Sequence, residues 1–325
     1  KATMEMVNKL LHAEMQAVEK QFAKHLTSDV ELIAQVGQYV LSSGGKRIRP
    51  MLLLLCARLC GYQGEKHIEL AGVVEFIHTA TLLHDDVVDS ANLRRGNRSA
   101  NSVWGNQASV LVGDFLFAKS FSVMVGSESL KILQILSDTT TQLAEGEILQ
   151  LINTCDLEVD EARYLQVVRD KTAILIAAAC QVGGVLAGID TTREQVLREF
   201  GLELGTAFQL MDDALDYVAD QDEFGKARGH DLFEGKMTLP LIYTYAQSSP
   251  LERDEIARIV TAEELAAADL DQICALIAEK GGIDFARHKA AERVSRAKEL
   301  LQAFPPSEAR QALFALADFI VTRSH

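Results

Sequence analysis

Leu82-Leu83-His84-Asp85-Asp86-Val87-Val88-Asp89 places three carboxylates within five residues, with apolar side chains on both sides. In a helix, Asp85 and Asp89 are four residues apart and lie on the same face, one turn from each other. His78, seven residues before Asp85, falls on that face too. Such a cluster repels itself unless a cation binds there. The stretch is therefore either a solvated acidic turn or one half of a metal site.

A second copy of this pattern favours the metal site. Asp212-Asp213-Ala214-Leu215-Asp216 also lies in an apolar helical run and repeats the pair of carboxylates four residues apart. Mg²⁺ prefers oxygen ligands and is usually held by one or two carboxylates together with substrate phosphates. Two facing helices of this kind predict a site that binds a diphosphate through bridging metal ions.

The rest of the chain predicts an all-α fold. Of the five prolines among 325 residues, none lies between Pro50 and Pro240, and Ala, Leu, Glu and Gln are abundant. No low-complexity linker interrupts the chain, so a single domain over residues 1–325 is predicted. The clearest predicted helices cover 51–60 (with Pro50 at the first position), 67–88, 108–125, 129–152, 157–188 (as one or two helices) and 191–217. A polar loop is predicted over 97–106.

Charge and cysteine content exclude several classes of protein. The net charge of −14 and the pI of about 5.1 make nucleic acid and anionic membrane surfaces poor partners. The five cysteines are odd in number and form no C-x-x-C, which predicts reduced core residues of a cytoplasmic protein. The longest apolar run, residues 174–186, contains Gln181 and many small residues. We therefore expect a buried helix there and no transmembrane segment.

Basic residues occur where the predicted helices end, and they would balance the charge of bound diphosphates. A single basic loop residue is more often a solvated charge, but Arg94 and Arg95 follow Asp89 by only five and six residues. The candidate cations are Lys46, Arg49, Arg94, Arg95, Lys171, Lys226 and Lys236.

Taken together, these motifs resemble those of the trans-polyprenyl diphosphate synthase family, and the bacterial octaprenyl diphosphate synthases are the most similar members. The resemblance runs from residue 44 to about residue 240, in the order and spacing of the family. Its motifs are Gly44-Gly45-Lys46-Arg47-Ile48-Arg49-Pro50, Leu82 to Asp89 followed by Leu93-Arg94-Arg95-Gly96, Lys171-Thr172, Phe208-Gln209-Leu210-Met211-Asp212-Asp213-Ala214-Leu215-Asp216-Tyr217, and Gly235-Lys236.

The resemblance implies an isoprenoid synthase helical bundle around a central cavity, forming a homodimer. It implies that isopentenyl diphosphate condenses with an allylic diphosphate, for which farnesyl diphosphate is the expected primer. The product would be near octaprenyl diphosphate, for quinone side chains. Magnesium would be the cofactor, with three ions on the bound diphosphate.

The resemblance also implies a role for each motif residue. Asp85, Asp89 and Asp212 would hold the metal ions, with Asp86, Asp213 and Asp216 as further ligands or as supports. The allylic diphosphate would be bound by Arg94, Lys171, Lys226 and Lys236, which complete the catalytic set with the first three aspartates. Isopentenyl diphosphate would be bound by Lys46, Arg49, His78 and Arg95. Thr172 and Gln209 would contact the allylic substrate, and Phe208 would pack near its hydrocarbon.

Two further residues bear on the reaction. The family usually has proline after the final Gly-Lys, whereas this chain has Met237, so we expect a changed turn without loss of activity. The base is expected to be the released diphosphate itself. His84 is the alternative base, although a histidine that packs between helices is the favoured interpretation.

Product length follows from helix geometry. Thr81 lies one turn before Asp85, about 6 Å along the axis, and Ala80 adjoins it. Both are small, so a growing hydrocarbon tail would pass them. Met124 and Leu136, on the two following helices, are the candidate floor of the cavity, and the alternative is that they are ordinary core residues.

Other functions remain open from the sequence. A shorter-chain geranylgeranyl or farnesyl diphosphate synthase would share these motifs. A terpene cyclase would pair the first aspartate cluster with a different metal motif. A non-catalytic subunit of a heteromeric synthase would be expected to lack some of these aspartates or cations, all of which are present here.

Overall fold

Long helices make up nearly all of the regular structure in the computed structural model, which describes residues 3–43, 45–90, 93–94, 97–218 and 228–323. The first part comprises α1 (Met4–His25), α2 (Glu31–Ser42), α3 (Ile48–Leu59), α4 (Lys66–Val88), β1 (Leu93–Arg94), β2 (Asn97–Arg98), α5 (Ala100–Trp104), α6 (Asn106–Val125) and α7 (Leu130–Asn153). The second part comprises α8 (Glu161–Val168), a π-helix (Arg169–Ala173), α9 (Ile174–Ala187), α10 (Thr191–Asp216), α11 (His230–Phe233), α12 (Leu239–Gln247), α13 (Pro250–Thr261), α14 (Ala267–Lys280), α15 (Gly282–Leu300), a 3₁₀ turn (Leu301–Ala303) and α16 (Glu308–Thr322).

The core lies around α3 and α9, which are apolar over most of their surfaces. Leu52, Leu53, Leu54 and Leu55 of α3 are completely buried. α3 packs on α4 and α9, α9 packs on α10, and α4 and α10 are covered by α6 and α15 respectively. Because α4 and α10 both contact α9, the two aspartate-bearing helices belong to one bundle. The predicted all-α fold is confirmed, with one short addition: β1 and β2 form a two-residue antiparallel ladder.

Two local predictions were wrong. The helix predicted to start at Pro50 starts at Ile48, so Pro50 is its third residue. Proline is tolerated there because the first N–H groups of a helix have no partner within it. The polar loop predicted over 97–106 instead contains β2 and the five-residue helix α5. The five free cysteines agree with the prediction of reduced thiols.

The segment predicted as one or two helices is continuous from Glu161 to Ala187, with a π-helical turn at its centre. That turn lies close to α7 at Gly146. A Cβ on Gly146 would lie 2.6 Å from the backbone nitrogen of Lys171, so only glycine allows this approach.

Two segments are long and apolar enough to cross a membrane by length and composition, namely Asn106–Val125 and Glu161–Ala187. The second is 72% buried and forms the centre of the bundle, as expected of a core helix. The first, α6, is only 33% buried and carries exposed apolar residues such as Leu111.

Candidate active site

The first aspartate cluster lies at the C-terminal end of α4. Asp85 and Asp86 occupy its last turn, and Asp89 caps it, with its N–H donating to the carbonyl of Asp85 over 2.7 Å. Carboxylates at this end of a helix are destabilised by the helix dipole. The cluster therefore requires positive charge from elsewhere, and two lysines supply it.

Lys171 supplies the first charge from the π-helix. Its Nζ lies 3.8 Å from Oδ2 of Asp85 and 3.2 Å from Oε1 of Glu147, and it donates a hydrogen bond to Gln150. Burial raises the pKa of Asp85 to about 7, although the charge of Lys171 opposes this rise. π-Helical turns occur often at functional sites, and this one directs a partly buried cation at the first cluster.

Lys236 supplies the second charge. Its Nζ lies 3.3 Å from Oδ2 of Asp89 and 2.7 Å from Oε2 of Glu234. Burial lowers the pKa of Lys236, but the charges of Asp231, Glu234 and Asp89 outweigh burial and raise the pKa overall. Burial in turn raises the pKa of Asp89. Lys236 is therefore held charged beside the first cluster.

The second cluster meets the same segment from α10. The N–H of Asp231 donates to Oδ2 of Asp216 over 3.1 Å, and the carbonyl of Asp231 accepts the N–H of Lys236 over 2.8 Å. A short path therefore joins Asp216 to Asp89 through Asp231 and Lys236. The sequence predicted that the two clusters face one another, and the structure brings both to the segment that follows α10.

Asp212 forms an ion pair with Arg323, the residue that follows α16. Nη2 of Arg323 lies 2.6 Å from its Oδ1 and 2.9 Å from the carbonyl of Phe208, and the guanidinium lies 4.3 Å from the centre of the Phe208 ring. Arg323 immediately follows α16, and its side chain is almost fully buried. The C-terminal helix thus covers this edge of the second cluster.

Asp213 faces protein donors on both sides. Its Oδ2 accepts from the hydroxyl of Tyr164, and its Oδ1 accepts from Nε2 of Gln209 over 2.8 Å. Gln209 in turn accepts from the hydroxyl of Thr172 over 3.1 Å. Burial raises the pKa of Asp213 well above its ordinary value, and the two hydrogen bonds oppose that rise. With both oxygens engaged, Asp213 orients Gln209 and ties α10 to the π-helix.

The basic residues around the start of α3 make different kinds of contact. Arg47 has a left-handed backbone (φ 57°) and pairs with Glu19 and Glu75, at 3.0 and 3.1 Å, so it holds α1 to α4. Nη1 of Arg49 lies 3.5 Å from Nε2 of His78. The Nζ of Lys46 lies 4.7 Å from the centre of the Phe319 ring. Phe319 belongs to α16, the helix that Arg323 follows.

Three of the predicted cations cannot be placed. Arg95 and Lys226 lie outside the described residues, as does Gly96. Arg94 forms part of β1, but its side chain is not among those described.

His84 packs between helices, as the favoured interpretation predicts. Its Nε2 lies 3.1 Å from the carbonyl of Val110 and 3.1 Å from Oδ1 of Asp114, both on α6. The ring also lies 5.6 Å from that of Phe117. These contacts account for the histidine without a catalytic role.

The predicted product-length residues lie inside the bundle. Ala80, Met124 and Leu136 are fully buried, and Thr81 donates to the carbonyl of His78 over 2.5 Å. Met237, which stands where the family usually has proline, is buried and follows Lys236 directly, while Gly235 takes a left-handed φ of 73°. Lys236 reaches Asp89 with methionine in this position.

The donor atoms of the site suit a hard cation. Asp85 and Asp89 are desolvated carboxylates, and each lies beside a lysine whose charge a divalent ion could supply in its place. Across the described ranges, no three carboxylate, histidine or cysteine side chains converge into a ready-made ligand cluster. Mg²⁺ fits such a site because it keeps several waters and takes its other ligands from substrate phosphates.

Sequence reasoning missed several polar residues of this site: Glu147, Gln150, Tyr164, Glu234 and Arg323. Glu147 and Gln150 are three residues apart within the helix predicted over 129–152, so their shared face was available from the sequence. The contact between Arg323 and Asp212 spans 111 residues and carries no signal in the sequence.

The chain is similar to known proteins over nearly its whole length. A family model described as polyprenyl synthetase matches residues 30–277. Octaprenyl diphosphate synthase of Escherichia coli (strain K12) is 43% identical over 98% of this chain and 99% of that protein. The all-trans-nonaprenyl-diphosphate synthase (geranyl-diphosphate specific) of Rhodobacter capsulatus is 40% identical over 94% of each. A crystal structure of polyprenyl synthase from Caulobacter crescentus CB15, complexed with calcium and isoprenyl diphosphate, has a TM-score of 0.96 and 43% identity, and covers 100% of this chain and 99% of that one.

Proposed function

Because this chain belongs to the polyprenyl synthetase family, we propose that it is a long-chain trans-prenyltransferase that condenses isopentenyl diphosphate with an allylic diphosphate. The primer is farnesyl diphosphate, the product is near octaprenyl diphosphate, and the whole chain, residues 1–325, acts as one domain. The product supplies quinone side chains. The octaprenyl and nonaprenyl relatives support this range of lengths.

One observation carries the proposal: Lys236 and Asp231 join the first aspartate cluster to the second. A diphosphate bound there lies between acidic residues of two helices and two partly buried lysines. Only metal ions can make the carboxylates attractive to an anion. Asp85, Asp89 and Asp212 would hold three Mg²⁺ ions, which would supply that charge and would stabilise the negative charge that develops on the departing diphosphate.

The protein contributes position, charge and exclusion of water. Lys171 and Lys236 hold the allylic diphosphate, together with Arg94 and Lys226. Gln209 and Thr172 contact the allylic substrate. The hydrogen bonds from Thr172 to Gln209 and from Gln209 to Asp213 hold them in place. Asp86 and Asp216, both buried, support the metal-binding aspartates from within the helices. The apolar interior around α4 then shelters the allylic cation until the double bond of isopentenyl diphosphate attacks it.

Isopentenyl diphosphate takes the second basic group. Lys46, Arg49, His78 and Arg95 bind its diphosphate, and the contact between Arg49 and His78 supports this grouping. The proton lost after condensation goes to the released diphosphate, since His84 is engaged with α6. Ala80 and Thr81 let the growing tail pass, and Met124 and Leu136 stop it.

The exposed apolar surface supports a homodimer. α6 and α7 expose large apolar side chains that a second copy would cover, and α6 is mostly unburied within one chain. These side chains are Leu111, Val125, Leu130, Ile148, Leu151 and Ile152. The free thiols support a cytoplasmic location.

The test uses the purified chain alone with farnesyl and isopentenyl diphosphates. We expect Mg²⁺-dependent release of diphosphate and, after reversed-phase separation, products near eight isoprene units. Products of three or four units would identify a shorter-chain synthase. If the chain alone shows no turnover, the proposed enzymatic activity is contradicted. That result would favour a subunit of a heteromeric synthase, a class to which the name of one relative points, heptaprenyl diphosphate synthase component 2 of Bacillus subtilis. Light scattering on the same sample tests the dimer.

A further inference from the structure

A backbone hydrogen bond joins the end of α7 to the turn that carries Lys236. The N–H of Cys155, two residues beyond α7, donates to the carbonyl of Gly235 over 2.9 Å. Gly235 directly precedes Lys236 in the chain. Because the carbonyl of one residue and the nitrogen of the next lie in one rigid plane, this bond fixes the peptide group from which Lys236 starts.

The two turns also lie in direct contact. A Cβ on Gly235 would lie 2.6 Å from Sγ of Cys155 and 3.0 Å from Cγ2 of Thr154, so these side chains already fill the space beside the glycine. Both partners of the hydrogen bond have a left-handed backbone, with φ 73° at Gly235 and φ 56° at Cys155. Such angles are ordinary for glycine and uncommon for other residues. The close approach therefore depends on the unusual backbone of Cys155.

The same end of α7 holds the other lysine of the site. Glu147 and Gln150, in the last two turns of α7, both contact Nζ of Lys171. The Nζ atoms of Lys171 and Lys236 lie 3.8 and 3.3 Å from carboxylates of the first aspartate cluster. Since one helix end contacts Lys171 directly and Lys236 through Cys155, it sets the spacing between the two lysines.

We propose that Cys155 is a positioning residue for the allylic diphosphate, which it serves by holding the turn of Lys236 against the end of α7. It acts through its left-handed backbone and its N–H, without chemistry of the thiol. The inference rests on the function proposed above, in which Lys171 and Lys236 hold this diphosphate. Isopentenyl diphosphate is assigned to cations of other segments, namely Lys46, Arg49, His78 and Arg95. Loss of the hydrogen bond therefore affects the two substrates unequally.

The experiment replaces Cys155 by valine and by glycine. Valine keeps the N–H, but a β-branched residue is a genuine outlier at a left-handed φ. Glycine adopts such angles readily and keeps the hydrogen bond without any side chain. Cys155→Thr is also β-branched and is closer to cysteine in size, so its result decides the test if Cys155→Val does not fold.

Glu128→Val is the matched control. Glu128 is exposed and has almost the same left-handed backbone, with φ 57°. It precedes α7, whose 24 residues span about 36 Å, so it lies at the opposite end of that helix from Cys155. The control introduces the same backbone strain far from Lys236, and we expect the two valine variants to lower Tm by similar amounts.

Calorimetric titration measures the Kd of farnesyl diphosphate with Mg²⁺ present and, separately, the Kd of isopentenyl diphosphate, both without turnover. In Cys155→Val we expect the Kd of farnesyl diphosphate to rise about three- to tenfold, the usual effect of losing one hydrogen bond. The Kd of isopentenyl diphosphate stays near its wild-type value. Cys155→Gly and Glu128→Val keep both wild-type values, and the steady-state KM values follow the same pattern.

A merely structural role gives a different pattern. Equal weakening of both substrates in Cys155→Val, or the same weakening in Glu128→Val, would overturn the proposal. An unchanged Kd of farnesyl diphosphate in Cys155→Val would overturn it too, as would a Cys155→Gly variant that binds farnesyl diphosphate as weakly as Cys155→Val. An inactive wild-type chain contradicts the proposed function itself, while an active wild type with an unaffected Cys155→Val contradicts only the role of Cys155.

Discussion

Replacing Gly146 by alanine should impair catalysis through the backbone that carries Lys171. A Cβ at this position would lie 2.6 Å from the nitrogen of Lys171, 2.7 Å from the carbonyl carbon of Asp170 and 3.0 Å from its Cβ. Ordinary contacts begin near 3.4 Å, so α7 and the π-helix would have to separate by about 0.8 Å. Rotating a side chain does not relieve this clash, because the two closest atoms belong to the backbone.

The effect on catalysis should exceed the effect on stability. Overpacking of this kind costs about 1–3 kcal/mol, and alanine regains about 1 kcal/mol through its better helix propensity. The net loss in the free energy of unfolding is therefore at most about 2 kcal/mol. A catalytic group misplaced by about 1 Å can lose about a hundredfold in rate. Since Lys171 reaches Asp85 only at 3.8 Å, we expect kcat/KM for the allylic substrate to fall ten- to a hundredfold, roughly as for such misplacement.

Steady-state kinetics and urea unfolding of Gly146→Ala measure the two effects. Gly72→Ala is the matched control, because Gly72 is also within a helix but its Cβ would meet Phe22 and Gln21 only at 3.8 and 3.9 Å. The control should gain about 0.5–1 kcal/mol of stability and keep its activity. Wild-type kinetics in Gly146→Ala, or an equal loss of activity in Gly72→Ala, would refute this reasoning.

Three further predictions concern Met124, Tyr164 and Glu14. Met124→Ala should lengthen the dominant product, as measured by reversed-phase chromatography, because it deepens the cavity floor. Tyr164→Phe should destabilise the fold by about 1–3 kcal/mol in urea unfolding and lower kcat, since it removes a donor from the buried carboxylate of Asp213. Burial raises the pKa of Glu14, but hydrogen bonds from His67 and Arg58 outweigh burial and lower it overall. Glu14 thus stabilises the fold above its ordinary pKa of 4.5 and loses this effect as the pH falls through the lowered value. Glu14→Gln should remove that pH dependence from the free energy of unfolding.

Each of these has a contrary result. An unchanged product profile would remove Met124 from the floor. A Tyr164→Phe variant with wild-type stability and kcat would show that Asp213 does not need this donor. A difference in stability between wild type and Glu14→Gln that stays constant from pH 7 to about pH 3 would contradict the lowered pKa of Glu14.

The sequence predicts the long helices well because their patterns are local. α4 starts one residue before the predicted boundary and ends at the predicted residue, Val88, because the apolar run stops at the aspartate cluster. The short helix α5 was missed because its five residues, Ala-Asn-Ser-Val-Trp, are too few to show a periodic pattern. The start of α3 was misplaced because proline suits several positions in a first turn, not only the first.

The site could be predicted only as far as its motifs extend. The aspartates and lysines stand out because charge in an apolar helix is rare. Their partners do not: Arg323 and Tyr164 resemble ordinary surface and core residues until the fold places them on Asp212 and Asp213. The division of labour between Arg47 and Arg49 depends on a left-handed backbone angle that neighbouring glycines suggest but do not specify.

The π-helical turn at Arg169–Ala173 also sets the rotation of α8 relative to α9 about their common axis. One extra residue in a helix turns everything beyond it by about 100°. Relative to α9, Tyr164 is therefore rotated by about 100° from where a regular α-helix would place it, and in this orientation it faces α10. Deleting one residue here would restore a regular α-helix and at the same time rotate Tyr164 away from Asp213 or Lys171 away from Asp85. The segment can change length only if one of the two contacts is given up, so we expect it to tolerate no single-residue deletion.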